Sequence, residues 1–174
     1  LSVSAGTSMC LGDERTLTAS GGTGYSWAPA TGLSCTTCST TTASPTVTTT
    51  YTVSATVSGI PTSATVTVTV NVVPSAIMGE SAICAGTTTM LSNAFTDGTW
   101  ASNDTSVATI NEWGEMTGIT AGTTTITYQL PNTCLSTVDI TVGSPAAIDG
   151  ITAIYPGTTA TLTCMPEGGT WSAS

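Results

Sequence analysis

The sequence predicts an all-β fold made of two-sheet sandwich domains in tandem, and three observations carry this prediction. Threonine supplies 42 of the 174 residues, and its β-branched side chain suits the pleated surface of a sheet. Strong helix formers are scarce, since the chain has one Arg, no Lys and one Gln. Short segments of β-branched residues also recur between turns rich in Gly, Pro, Asn and Asp.

An internal repeat sets the predicted domain organisation. Residues 82–88 align with residues 153–159 at an offset of 71, and Trp100 aligns with Trp171 at the same offset because 171 minus 100 is 71. A more distant copy lies upstream, offset by 74 at Cys10 and by 73 at Trp27. We therefore predict three domains, over residues 1–73, 74–143 and 144–174. The third is only the first part of a unit, so we expect either that the natural chain continues or that another subunit donates the missing strands.

Each whole unit is predicted to end in a long strand. In the first unit, residues 65–72 alternate strictly, with valines at 66, 68, 70 and 72 on one face and polar residues on the other. Val138, Ile140 and Val142 repeat this pattern in the second unit, and a proline follows each strand within a few residues. The strands predicted for the second unit are 87–91, 98–102, 107–111, 115–118, 123–130 and 135–142. Their even spacing is typical of a sandwich.

Charge and composition exclude several classes of function. The net charge is -9, with Arg15 as the only base, so nucleic acids and anionic membrane surfaces are poor partners. No apolar run approaches 18 residues, so we expect no direct membrane span. The chain contains no His and no spacing typical of a calcium loop, so we predict no metal site, no cofactor and no catalytic residues. The first residues do not resemble a signal peptide, and we interpret Leu1 as an internal or processed start.

Six cysteines without histidine favour disulfides and an oxidising compartment. Cys84 and Cys134 lie at the start and near the end of the second unit, and we predict that they are bonded. Cys35 and Cys38 are predicted to form a small structural disulfide within a loop. The partners of Cys10 and Cys164 stay open: Cys10 could be buried or bonded to a residue upstream, and Cys164 could bond to a residue beyond Ser174.

The four tryptophans fall into two groups. Trp27, Trp100 and Trp171 occupy one repeat position, which favours core residues packed across the sandwich over a platform for sugar stacking. Trp113 lies instead in a predicted hairpin turn, where it is a possible surface contact for a neighbouring chain or a ligand. Tyr51 is the one other aromatic residue considered for such a contact.

The second unit resembles the bacterial immunoglobulin-like group 2 domain over most of residues 75–142. The matching motifs are Gly98-Thr99-Trp100, Val107-Ala108-Thr109-Ile110, Met116-Thr117-Gly118, Ala121-Gly122-Thr123 and Ile126-Thr127-Tyr128. The first unit resembles a different sandwich module of Bacteroidetes surface proteins, through Gly21-Gly22-Thr23, residues 25–33 and Thr48-Thr49-Thr50-Tyr51. Proteins that carry both modules in series are similar to long gliding-motility adhesins exported by type IX secretion.

We therefore expect tandem immunoglobulin-like β-sandwich domains in a structural and adhesive module of an extracellular, cell-surface protein or filament. Its expected partners are neighbouring repeats or subunits of the same protein, together with a surface polysaccharide or another cell-surface ligand. The alternative is a non-catalytic carbohydrate-binding or accessory module of a secreted hydrolase. Several exposed, coplanar aromatic side chains would favour that alternative.

Overall fold

The computed structural model describes residues 1–144, which form parts of two compact units. The first unit is Leu1–Val73, and the second begins at Pro74. The predicted third unit lies outside the described residues except for Ser144, and so do Cys164 and Trp171.

The first unit contains two sheets with the strand orders β1-β3-β5 and β2-β7-β6-β4. Its strands are β1 (Ser2–Val3), β2 (Thr7–Cys10), β3 (Arg15–Ser20), β4 (Thr23–Ala28), β5 (Thr40–Ala43), β6 (Thr49–Val57) and β7 (Ile60–Asn71). Both sheets supply side chains to one core, in which Leu17 of β3 packs with Tyr51 of β6 and Val68 of β7. The unit is therefore a two-sheet sandwich.

The longest hairpin of the first unit joins β6 to β7 through two residues with positive φ. Ser58 has a φ of 51° and Gly59 a φ of 83°, between the paired residues Val57 and Ile60. A two-residue turn of this kind matches the right-handed twist of the flanking strands. The hairpin makes β7 longer than the predicted strand at its start, and because β7 ends at Asn71, Val72 is 56% exposed. The prediction that Val72 lies on the buried face was wrong.

The second unit also contains two sheets, with the orders β11-β12-β9 and β10-β13-β14-β8. Its strands are β8 (Ala82–Cys84), β9 (Thr88–Met90), β10 (Thr99–Ser102), β11 (Ala108–Ile110), β12 (Glu115–Gly118), β13 (Gly122–Gln129) and β14 (Leu135–Gly143). Its core joins Leu91 and Met116 from one side with Ile126 and Ile140 from the other. This unit too is a sandwich.

The four-stranded sheets of the two units share one topology. In each, an early strand lies parallel to the last strand, which pairs in turn with the penultimate strand. The strand that carries Trp27 or Trp100 completes the sheet on the far side. The four-stranded sheets of the two units therefore have the same strand order.

A matching turn follows the parallel strand in both units. Leu11 N–H donates to the Asn71 carbonyl at 2.9 Å, and Ala85 N–H donates to the Gly143 carbonyl at 2.9 Å. The next residue is a glycine in each case, with a φ of 99° at Gly12 and 85° at Gly86, which favours glycine at this position. The upstream repeat is therefore present in backbone geometry as well as in sequence.

The register of β14 corrects the expected pairing of Cys84 with Cys134. Cys84 lies opposite Gly143, at the end of β14, whereas Cys134 precedes Leu135, the first residue of that strand. Nine residues of extended chain span about 30 Å. A disulfide requires Cα atoms within roughly 7 Å. The predicted Cys84–Cys134 bond is therefore not formed, and the reason is that the parallel strand pairs with the far end of β14.

Candidate functional site

The aromatic surface of the second unit is built around the turn between β11 and β12. The Asn111 side chain organises this turn, because its Oδ1 accepts hydrogen bonds from the backbone N–H groups of Trp113 and Glu115, both at 3.0 Å. Its Nδ2 donates to Glu115 Oε2 at 3.0 Å, and its own N–H donates to the Glu115 carbonyl at 3.0 Å. The backbone that carries Trp113 is thereby held in one conformation.

Gly114 fixes this turn against the rest of the unit. Its φ of 87° lies in the left-handed region, and its carbonyl accepts a hydrogen bond from Leu91 N–H at 2.8 Å. A Cβ atom at this position would lie 2.4 Å from the Leu91 carbonyl oxygen and 3.3 Å from the Trp100 indole. The turn therefore packs directly on Trp100, at a distance that only glycine permits.

Trp100 and Tyr128 form the floor beneath the turn. Their ring centroids are 4.6 Å apart with an interplanar angle of 54°, and both residues are paired across β10 and β13. The Tyr128 hydroxyl donates to the Phe95 carbonyl at 2.7 Å and accepts from Gly98 N–H at 2.9 Å. These bonds tie the segment before β10 to the sheet.

Trp113 stands above this floor and is 73% exposed. Two open depressions border it: one of about 270 Å³, lined also by Met90 and Thr96, and one of about 410 Å³, lined also by Thr99 and Ile110. Trp100 and Glu112 line both depressions. We call this surface the Trp113 face; it consists of Met90, Thr96, Trp100, Glu112 and Trp113.

The Trp113 face carries negative charge only. Glu112 is exposed beside the indole, and Glu115 lies at the end of the same turn. The second unit has no basic side chain of its own to balance them, since the single base of the sequence is Arg15, in the first unit. The face therefore combines an exposed aromatic ring with carboxylate and hydroxyl groups.

The structure places the tryptophans of the repeat at different depths. Trp27 is buried, and its Nε1–H donates to the Cys38 carbonyl at 2.9 Å. Trp100 is half-buried and packs against the core of the second unit. Trp27 and Trp100 occupy equivalent positions of the repeat but are thus buried to different degrees. The Trp100 ring is partly exposed at the surface of the second unit.

Within residues 1–144, the disulfide-bonded cysteines include Cys10, Cys35, Cys38 and Cys134. Cys35 and Cys38 bond to each other, with an S–S distance of 2.00 Å and a Cα–Cα distance of 5.7 Å. This is the pair that was predicted from the Cys-Thr-Thr-Cys spacing. The bond closes the loop whose Cys38 carbonyl holds the Trp27 indole.

Tyr51 is removed from the set of surface aromatics. It is fully buried, and its hydroxyl donates to the Thr31 carbonyl at 2.9 Å. Burial raises the pKa of this phenol, and a hydrogen bond with the Thr49 side chain lowers it to a smaller extent. Tyr51 is therefore not available as a surface contact.

Sequence reasoning did not find the residues that shape the Trp113 face from other strands. Met90 is 57% exposed and reaches the face because β9 pairs with β12 in a register that sets Met90 opposite Glu115. The role of Asn111 had a local signal, since Asn three residues before Gly is typical of a turn.

Two further features bear on the class of protein. Within residues 1–144, no three side chains of the metal-binding types lie close enough together to hold an ion. The same residues include no helix that is long and apolar enough to cross a membrane.

The fold is that of immunoglobulin-like β-sandwich domains, and comparison with known proteins gives the relationship of the second unit. Residues 79–130 match the family model described as the bacterial Ig-like domain (group 2). The predicted resemblance of the second unit to this family is thereby confirmed. A comparison with curated protein sequences gave no match.

Three solved structures illustrate the structural likeness. A C-terminal fragment of intimin, in complex with the intimin-binding domain of the translocated intimin receptor, is 17% identical, with 83% of this chain and 65% of that chain covered and a TM-score of 0.48. Extracellular domains 3–5 of Drosophila OTK are 15% identical, with 80% and 60% covered and a TM-score of 0.45. A SusE-like surface-located polysaccharide-binding protein from Bacteroides thetaiotaomicron is 13% identical, with 83% and 34% covered and a TM-score of 0.43. The chain thus spans less than two thirds of each of these structures.

Proposed function

We propose that this chain is a structural and adhesive segment of a longer extracellular bacterial surface protein, in which each immunoglobulin-like unit bears tension. The observation that carries the proposal is the parallel pairing of an early strand with the last strand in both units. β2 pairs with β7 from Thr7 opposite Val68 to Cys10 opposite Asn71, and β8 pairs with β14 from Ala82 opposite Thr141 to Cys84 opposite Gly143.

Parallel strands give this arrangement its mechanical consequence. The chain enters the early strand at one end of the sheet and leaves the last strand at the opposite end. Tension along the chain therefore pulls the two strands past each other, so that their hydrogen bonds are loaded together in shear. Antiparallel strands pulled from one shared end would instead lose their bonds one at a time. The geometry favours resistance to pulling forces.

Disulfides and surface chemistry support an extracellular location. Four bonded cysteines are typical of an oxidising compartment. The outer face of the sheet in the first unit is rich in hydroxyl groups; for example, Thr50 and Thr67 lie opposite each other and share a hydrogen bond of 2.9 Å. Such a surface exposes little apolar area and resists aggregation without many charges.

Labelling of intact cells tests the location directly. Antibodies raised against the 174-residue chain should label unpermeabilised cells of the native organism, and brief external protease treatment should abolish the label. Antibodies against a cytoplasmic protein serve as the control and should label only permeabilised cells. Labelling that requires permeabilisation would contradict the proposal.

The finer assignment within this proposal is a gliding-motility adhesin exported by type IX secretion, with further repeats or subunits of the same protein as neighbours. It rests on the sequence resemblance of the two modules in series. The other candidate, an accessory carbohydrate-binding module of a secreted hydrolase, is favoured only by the exposure of Trp113. Loss of the label in a mutant that lacks type IX secretion would support the finer assignment, and unchanged surface label would contradict it.

A further inference from the structure

We propose that the Trp113 face binds an uncharged glycan chain, one of whose pyranose rings stacks on the Trp113 indole. This inference rests on the proposed adhesive role and names the class of ligand. Four properties of the face carry it: the rigidity of the turn, the pairing of one exposed indole with polar groups, the shape of the surface beside the indole, and the sign of the charge.

Rigidity comes first, because an exposed side chain binds well only if little freedom is lost on binding. The Trp113 N–H is held by Asn111 Oδ1, and the neighbouring Gly114 is packed between Leu91 and Trp100. The backbone beneath the indole is therefore preorganised, and tryptophan itself has only two side-chain torsions to order. A large apolar ring that is 73% exposed on such a rigid turn has the properties of a binding surface.

The polar groups around the ring match a sugar better than a protein. Glu112 is exposed beside the indole, so its carboxylate is available to accept hydrogen bonds from sugar hydroxyl groups. Thr96, which lines the same depression as Glu112, adds a hydroxyl group. A pyranose ring presents an apolar face of C–H groups edged by hydroxyls, which fits one indole flanked by acceptors. The core of a protein interface would instead need several adjoining apolar anchors and few charges.

The shape favours a chain of sugars over a single one. The depressions of about 270 and 410 Å³ both border Trp113 and share Trp100 and Glu112 as lining residues. Small-ligand sites have volumes of about 300–1,000 Å³. A ring stacked on the indole would therefore have room for a neighbouring sugar in an adjoining depression.

The negative charge of the Trp113 face favours uncharged glycans over anionic ones. Two carboxylates, of Glu112 and Glu115, lie on the turn, and the second unit has no Lys, Arg or His to neutralise an anion. Sulfated or carboxylated glycans would be repelled and would find no cationic partner. Neutral glycans meet no such cost.

A glycan array tests the proposal with the whole 174-residue chain. The array carries neutral oligomers of β-1,4-glucan, β-1,3-glucan, xylan, mannan and chitin beside heparin and polygalacturonate oligomers. We expect binding to at least one neutral oligomer. Trp113→Ala should weaken it by about tenfold or more, since an aromatic anchor at the centre of a site carries much of the affinity. Trp113→Phe should keep most of it, and Glu112→Gln should weaken it by a few fold.

Ile60→Ala is the matched control, because Ile60 is an apolar side chain of the first unit that is 66% exposed. It should bind like the parent chain, and all variants should melt at the parent temperature. Binding to no neutral oligomer, binding only to the anionic oligomers, or equal binding by Trp113→Ala would each overturn the proposal. So would capture of a protein through Trp113 without glycan binding. None of these results would alter cell-surface labelling or mechanical resistance, so the proposed function would stand or fall separately.

Discussion

The absence of a side chain at Gly98 allows the ring of Tyr128 to lie against the backbone. A Cβ atom on Gly98 would lie 2.5 Å from two ring carbons of Tyr128 and 2.9 Å from its hydroxyl oxygen. The same hydroxyl accepts the Gly98 N–H and donates to Phe95, so the ring cannot move without breaking both bonds. This contact gives a physical reason for the glycine in the Gly-Thr-Trp motif.

Substitution of this glycine should therefore be costly. Gly98→Ala is expected to lower the free energy of unfolding by about 2 kcal/mol, because overpacking and a lost hydrogen bond act together. Thr99→Ala, at the exposed next position, should change it by less than about 0.5 kcal/mol. Urea titration of the two variants measures the difference, and equal stability would show that Tyr128 moves aside freely.

Asp104 provides a test of electrostatics at the residue scale. The hydroxyl of Ser106 donates to Asp104 Oδ1 at 2.6 Å and the Ser106 N–H donates to the same oxygen at 2.9 Å. These bonds, the side-chain one foremost, lower the pKa of the Asp104 carboxyl. A depressed pKa stabilises the folded state above the unfolded-state pKa of about 3.9, and this stabilisation is lost as the pH falls through the lower folded-state pKa.

The lowered pKa of Asp104 gives a prediction for a titration experiment. An NMR titration should find that Asp104 ionises below its ordinary range, and Ser106→Ala should raise its pKa toward that range. Thr105→Ala leaves both donors in place and should not change the Asp104 pKa. A Ser106→Ala variant whose Asp104 titrates as in the parent chain would show that the hydrogen bond from the Ser106 hydroxyl does not persist in solution.

At the scale of elements, alternation predicted strands well where one face is buried. β12 has the predicted bounds of Glu115–Gly118, and β14 extends the predicted strand by one residue, since Met116 and Ile140 point into the core. β8 was missed because three residues are too few to show alternation. Its parallel pairing with the end of β14 is a long-range contact that no local pattern contains, and the error about Cys84 and Cys134 followed from it.

Only part of the Trp113 face could be predicted from the sequence. Exposure of Trp113 was indicated by turn residues beside it in the sequence. The approach of Met90 and Trp100 depends on the registers of β9 with β12 and of β10 with β13. Register is set by packing of the whole sheet, so sequence reasoning could not assemble the face.

The proposed shear loading of β2 against β7, and of β8 against β14, gives a prediction at the scale of elements. Leu11→Pro removes the N–H that bonds the Asn71 carbonyl and should reduce the stability of the first unit by about 1–2 kcal/mol and lower its unfolding force. Leu11→Ala keeps the donor at a position that is 44% exposed and is the control. Ala85→Pro should act on the second unit in the same way, through the bond to Gly143. Proline variants that unfold at the parent force would contradict the role of these bonds.

At the scale of the whole molecule, a single strand arrangement occurs in two units with little sequence in common. Both place a parallel strand beside the last strand, and both close it with the same glycine turn. Conservation of this geometry between dissimilar units is what a chain of force-bearing modules requires, since the weakest unit limits the load. The second unit has three residue pairs in its parallel ladder against four in the first, so we expect it to unfold first.

Single-molecule force spectroscopy tests this central claim most directly. The chain is placed between reference domains of known unfolding force and pulled from its ends in the presence of a reductant, so that disulfides carry no load. The account predicts two discrete unfolding events from the described units. Each should release about 20 nm of chain, since the roughly 60 residues from β2 to β7, or from β8 to β14, extend by at most about 3.6 Å each. Smooth extension without these events, or unfolding far below the reference domains, would contradict a force-bearing role.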